Sequence, residues 1–135
     1  MIVFDLETTG LPKAEGSDLD IQPRIIELGA IKLDKDLKEI DRLEFFCNPG
    51  HPLDPIIDRK ILKFELERND KLTKFPWPPN HICTVEVGQA VWGKMKKLGD
   101  IYEELFGKKI DGAHRSLVDV EATVEIIKWY KKEGH

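Results

Sequence analysis

The spacing of apolar residues changes once along this chain. In its first third, short runs rich in β-branched and aromatic residues end at Gly, Pro or Asp, a pattern typical of strands separated by turns. These runs predict strands at residues 2–7, 25–33 and 37–47, with a turn at residues 34–36. We therefore expect a hairpin or a three-stranded meander at the start of the fold.

Beyond Pro55 the apolar positions recur at helical spacing. This period predicts a helix over residues 55–69, two shorter helices over 82–93 and 98–106, and a final helix with Ser116 as its N-cap. Strands followed by helices favour an α/β or α+β fold.

Length and composition narrow the class of protein. A chain of 135 residues has the length of one domain, and we expect residues 1–135 to form it. Hydrophobic residues make up 41% and charged residues 34%, which excludes a disordered chain. No apolar run reaches the roughly 18 residues of a membrane helix, and no basic segment typical of a secretory signal opens the chain. We expect a cytoplasmic protein without membrane contact.

The charge is distributed unevenly. Residues 1–57 carry 6 basic and 12 acidic side chains, whereas residues 58–135 carry 15 and 13. A protein that binds nucleic acid through charge alone is usually basic throughout, because it must neutralise phosphates. Contact between phosphates and the acidic half would therefore require metal ions.

The first strand carries a pair of carboxylates. Asp5 and Glu7 are two residues apart, so their side chains point to the same face of the strand. Mg²⁺ prefers oxygen ligands of this kind, which makes the pair a candidate metal site. The alternative is a solvated strand end without a ligand.

A second group of polar residues precedes the final helix. His114 lies in the preceding loop, where an imidazole can accept a proton from water, as the general base of a hydrolase does. Asp119 falls in the first helical turn, where the helix dipole favours a carboxylate. The alternative is an ordinary helix cap formed by Ser116 and Asp119 beside a surface histidine.

The motifs occur in a defined order: FDLETTGL at residues 4–11, RIIELGAI at 24–31, and GAHR at 112–115 followed by Asp119. Together they resemble the DEDD-type 3′→5′ exonucleases, and the spacing from histidine to aspartate resembles the DEDDh branch, which includes the proofreading subunit of bacterial DNA polymerase III. The resemblance implies a ribonuclease H-like α/β fold with a mixed sheet, two Mg²⁺ or Mn²⁺ ions, and release of nucleoside 5′-monophosphates from DNA or RNA 3′ ends.

The resemblance also implies roles for individual side chains. Asp5, Glu7 and Asp119 would bind the metal ions, and His114 would be the general base. The substrate would be the 3′ end of a nucleic acid, single-stranded at that end, and a polymerase would be a partner.

The middle motif of the family, His-Asn-x-x-Phe-Asp, is absent in that form. Residues 57–68 resemble the end of this motif and the helix after it, so Asp58 is the candidate fourth metal ligand, with a deletion just before it. The alternative is that Asp58 is only an acid at a helix start, favoured there by the dipole.

The apparent deletion leaves two functions open. The chain is either an active exonuclease or a weak or inactive module that binds nucleic acid or a polymerase. The deletion would also shorten the sheet and expose one edge, which favours either a homodimer through that edge or aggregation.

Overall fold

The computed structural model describes residues 1–14, 16–46, 58–71, 73–74, 80 and 82–135. A three-residue 3₁₀ helix, Leu19–Ile21, lies between the first two strands. The strands and helices of the described residues are β1 (Ile2–Thr8), β2 (Ile25–Leu33), β3 (Glu39–Phe46), α1 (Asp58–Arg68), α2 (Thr84–Trp92), α3 (Leu98–Phe106) and α4 (Ser116–Glu133).

The three described strands form one antiparallel sheet in the order β1-β2-β3. In its register, Asp5 pairs with Gly29 and Glu7 pairs with Glu27. Glu27 pairs in turn with Phe46 on β3. Because paired residues point to the same face, this register defines which side chains surround the two carboxylates of β1.

Helices pack on both faces of the sheet. Val3 of β1 belongs to a buried cluster with Val120 and Val124 of α4. Leu6, three residues further along β1, points to the opposite face and packs with Ile61 of α1. Since Asp5 and Glu7 share the parity of Val3, they lie on the face covered by α4.

The remaining helices pack against the outer side of α4. Ile101 and Tyr102 of α3 form a buried cluster with Ile126 and Tyr130 of α4. The Tyr102 hydroxyl donates a hydrogen bond of 2.5 Å to Glu125, and this bond raises the pKa of the phenol. Helix α4 is thus packed between the sheet and α3, which fixes the position of its first turn.

Arg68 at the end of α1 forms hydrogen bonds with the loop between β1 and β2. Its side chain is 9% exposed and donates to the carbonyl oxygens of Leu19, Gln22 and Pro23. At the start of this loop, the Thr9 hydroxyl oxygen accepts the backbone N–H of Arg24 at 2.8 Å. The chain segment after the β1 carboxylates is therefore held at both ends.

The α/β fold expected from the sequence is confirmed. The strands and helices lie close to their predicted positions, although the described sheet is antiparallel throughout and contains no parallel pair. That residues 1–135 form a single domain stays a prediction.

Two local predictions are wrong. Ser116 is the first residue of α4 and not its N-cap, because the carbonyl of Arg115 already accepts the Asp119 N–H at 3.0 Å. Leu37 does not begin β3 but lies in the preceding turn with φ +61°, closed by the Asp34 side chain, which accepts the N–H of Lys38.

In the described part of the chain, no helix combines the length and apolarity that crossing a bilayer requires.

Candidate active site and metal centre

A glycine in β2 allows the start of α4 to approach the sheet. A Cβ atom added at Gly29 would lie 2.5 Å from the backbone nitrogen of Leu117, far closer than real Cβ contacts allow. The backbone of α4 therefore packs directly on Gly29, the cross-strand partner of Asp5. This contact brings the first turn of α4, and Asp119 with it, next to the carboxylates of β1.

Three candidate site residues meet at this contact. The ligand atoms of Glu7, His114 and Asp119 all lie within 4.8 Å of one another. The two carboxylates are partly buried, whereas the histidine is exposed. Residues more than a hundred positions apart in the sequence thus form one cluster of two oxygen ligands and one nitrogen ligand.

Asp119 is partly buried and receives a hydrogen bond from the histidine loop. Its Oδ2 accepts the backbone N–H of His114 at 3.2 Å. Burial nevertheless raises the pKa of this carboxyl above its ordinary value; the His114 contacts oppose the rise, and the charge of Glu27 adds to it. A cation bound beside Asp119 would relieve this penalty, because it favours the ionised carboxylate.

Asp5 lies on the same face of β1, two residues before Glu7, and is partly buried. Asp58 is the first residue of α1, and α1 packs on the opposite face of the sheet through Ile61 and Leu6. The side chain of Asp58 lies outside the described part of the structure. Its role as the fourth ligand stays a prediction, as do the roles of the other four residues.

Sequence reasoning assigned no role to Glu27, which the structure places beside this cluster. Glu27 is 6% exposed, and Arg115 donates to its Oε1 from Nε at 3.3 Å. The sequence did contain a signal for this burial. Glu27 lies at every second position of β2 together with Ile25, Gly29 and Ile31, and all four positions are buried. A charged residue at an inward position requires a partner.

Two comparisons with known proteins give matches. An exonuclease family model, RNase_T, matches residues 2–64, which contain β1, β2 and β3. The crystal structure of a full-length 3′-exonuclease superposes with a TM-score of 0.61 at 18% sequence identity. That alignment covers 98% of this chain and 60% of the other, so this chain spans less than two thirds of the length of the chain it matches. No curated protein matches the chain.

These findings confirm the resemblance to the DEDD-type exonuclease family. The superposition shows the ribonuclease H-like fold expected from the sequence. The matches support nuclease function in general, and the group formed by Glu7, His114 and Asp119 could hold a metal ion.

Proposed function

We propose that this protein is a metal-dependent 3′→5′ exonuclease that releases nucleoside 5′-monophosphates from DNA or RNA 3′ ends. The observation that carries the proposal is the cluster of Glu7, His114 and Asp119, whose ligand atoms lie within 4.8 Å of one another. The cluster unites the first and last motifs of the sequence. It also lies where the first helical turn of α4 meets the sheet.

The chemistry of the side chains fits a hard divalent cation. Carboxylate oxygens are the preferred ligands of Mg²⁺ and Mn²⁺. Burial raises the pKa of the Asp119 carboxyl, and a cation bound beside it would favour the ionised form. Asp5, Glu7 and Asp119 would hold two ions, with Asp58 as the fourth ligand. Two bound ions would activate a water molecule and stabilise the leaving 3′-oxygen.

His114 would act as the general base. Its imidazole is exposed at the end of the loop before α4, so a water molecule and a substrate phosphate can both reach it. Its backbone N–H is held by Asp119, which keeps the histidine next to the carboxylates. A general base placed in this way contributes about 10² to 10⁴ to the rate.

The test is nucleotide release from a 3′-end-labelled single strand in Mn²⁺, with the products identified by mass. The wild-type protein should release nucleoside 5′-monophosphates. His114→Ala should slow release by about 10² to 10⁴, and Asp5→Asn should slow it at least as severely. His135→Ala and Asp36→Asn are matched controls, because both residues are exposed and lie beyond the ends of α4 and β2 that are opposite the cluster.

Adding Asp58→Asn to this series separates the two functions left open by the sequence. In an active enzyme with Asp58 as a ligand, this variant loses about as much activity as Asp5→Asn. If the wild-type protein binds a single strand but releases no nucleotide, it is a binding module and the proposal is wrong. Cleavage that persists in both His114→Ala and Asp5→Asn would indicate a contaminating nuclease.

A further inference from the structure

A buried carboxylate beside the candidate site has no role in the proposed function. Glu27 is 6% exposed and is the cross-strand partner of Glu7. Side chains opposed in this way have Cβ atoms roughly 5 Å apart, and like charges at that distance destabilise a sheet. A carboxylate this deeply buried also requires a cation to offset the loss of water.

Arg115 supplies that cation and reaches two strands. Its Nε donates to Glu27 on β2 at 3.3 Å, and its Nη2 donates to Glu44 on β3 at 3.2 Å. The guanidinium also lies 5.4 Å from the centre of the Phe46 ring, within the range of a cation–π contact. One side chain therefore joins residue 115 to the sheet at three points.

The same residue is connected to the candidate site through its backbone. Arg115 directly follows His114 and is the N-cap residue of α4. Its carbonyl accepts the N–H of Asp119 at 3.0 Å. The side chain of Arg115 thus anchors the sheet end of this segment, while its backbone starts the helical turn that carries Asp119.

His114 needs such an anchor because its backbone conformation is unfavourable. Its φ is +71°, in the left-handed region that residues other than glycine rarely adopt. A conformation of this kind persists only where surrounding contacts impose it. The His114 N–H bound to Asp119 holds one side of the residue, and Arg115 holds the other.

We propose that Arg115 is a positioning residue, with Glu27 as its buried anchor, and that this pair holds His114 in its left-handed conformation next to Glu7 and Asp119. The inference rests on the proposed function of that site. It differs from a direct contact between Arg115 and a substrate phosphate, which would serve binding instead of geometry.

Arg42 provides a matched control. It also joins β3 to α4, since it contacts Glu39 and Glu121, and its side chain is 45% exposed compared with 53% for Arg115. Glu121 lies beyond the first turn of α4, so this second arginine bridge does not include the histidine loop. Arg42→Gln should leave kcat unchanged.

The kinetic test compares Arg115→Gln, Glu27→Gln and the double variant. We expect Arg115→Gln to lower kcat about 10- to 100-fold with KM within about twofold, because a misplaced base slows the reaction and not binding. The double variant should be no slower than Arg115→Gln, since the two residues act as a unit. A raised KM with unchanged kcat would assign Arg115 to substrate contact, and an equal loss in Arg42→Gln would reduce it to a general stabilising residue.

A second measurement does not depend on activity. Hydrogen exchange at the His114 amide, followed by NMR, should be about tenfold faster in Arg115→Gln than in the wild-type protein and unchanged in Arg42→Gln. If exchange at His114 is the same in all three proteins, the positioning proposal is wrong, whatever the activity. If exchange accelerates but the wild-type protein releases no nucleotide, the proposed function fails while the positioning role stands.

Discussion

Burial makes the ionised form of Asp119 less favourable in the folded protein. Burial raises the pKa of this carboxyl, so the folded state binds a proton here more tightly than the unfolded state does. The contribution of Asp119 to the free energy of unfolding therefore falls as pH rises from the ordinary carboxyl pKa to the raised pKa. Above the raised pKa, the carboxylate destabilises the folded state to its full extent. A bound metal ion would offset this penalty, because a nearby positive charge favours the ionised carboxylate.

This cost leads to a prediction for Asp119→Asn. Without metal at neutral pH, the variant should unfold at the same temperature as the wild-type protein or a higher one, since asparagine can still accept the His114 N–H. Below the ordinary carboxyl pKa the difference should vanish. Thermal unfolding between pH 3 and pH 8 is a direct measurement; a variant less stable at neutral pH would show that Asp119 is a stabilising cap.

Added Mn²⁺ should reverse the order of stability. At a hundred times its Kd, an ion that binds only the native state raises the free energy of unfolding by about 2.7 kcal/mol. The wild-type protein should show this gain and Asp119→Asn should lose most of it. Equal responses to Mn²⁺ would place the binding site elsewhere.

At the scale of elements, the candidate site depends on the contact between α4 and β2. Gly29→Ala would place a methyl group 2.5 Å from the Leu117 nitrogen, which only a shift of α4 or the sheet can relieve. We expect a loss of about 1 to 3 kcal/mol in the free energy of unfolding, together with a smaller stabilisation by Mn²⁺, because the shift separates Asp119 from Glu7.

Gly99→Ala is the control for that substitution. A Cβ added at Gly99 in α3 meets nothing within 4 Å, so alanine there should stabilise the helix by about 0.5 to 1 kcal/mol. Gly29 lies in a strand and Gly99 in a helix, but only the methyl group at position 29 would meet backbone atoms of another element. Equal effects on stability would contradict the close approach of α4 to Gly29.

Periodicity predicted the strands and helices because each is amphipathic over several residues. Features set by tertiary contacts could not be predicted in this way. Ser116 has the chemistry of an N-cap, yet packing of α4 on Gly29 buries it completely and moves the cap to Arg115. The left-handed conformation of His114 likewise depends on contacts with distant residues.

In the candidate site, too, some features could be predicted from the sequence, whereas others depend on tertiary contacts. Asp5 and Glu7 could be assigned to one face from their spacing alone. His114 and Asp119 could be placed at the start of the final helix, and only the resemblance to a family joined the two groups in one site. The buried position of Glu27 next to Glu7 follows from the pairing register of β1 and β2, and its contact with Arg115 joins segments separated by most of the chain. A single sequence carries no direct signal for either contact.

At the scale of the whole molecule, the structure shows where the acidic residues of the first half of the chain lie. The acidic first half contains β1 and β2, whose carboxylates meet the start of α4. In the proposed function, metal ions would have to bind there before a phosphate could approach. A homodimer through a sheet edge, a polymerase partner and a cytoplasmic location stay predictions.

A crystal structure with Mn²⁺, read from the anomalous signal of the metal, tests the proposed metal centre most directly. We predict two Mn²⁺ peaks bound by the carboxylates of Asp5, Glu7 and Asp119, with His114 adjacent to them and Asp58 completing the set of ligands. Peaks at these three residues without Asp58 would overturn only the fourth ligand. The absence of any Mn²⁺ peak between β1 and α4, in a protein that is otherwise well ordered there, would contradict the metal centre and with it the proposed exonuclease.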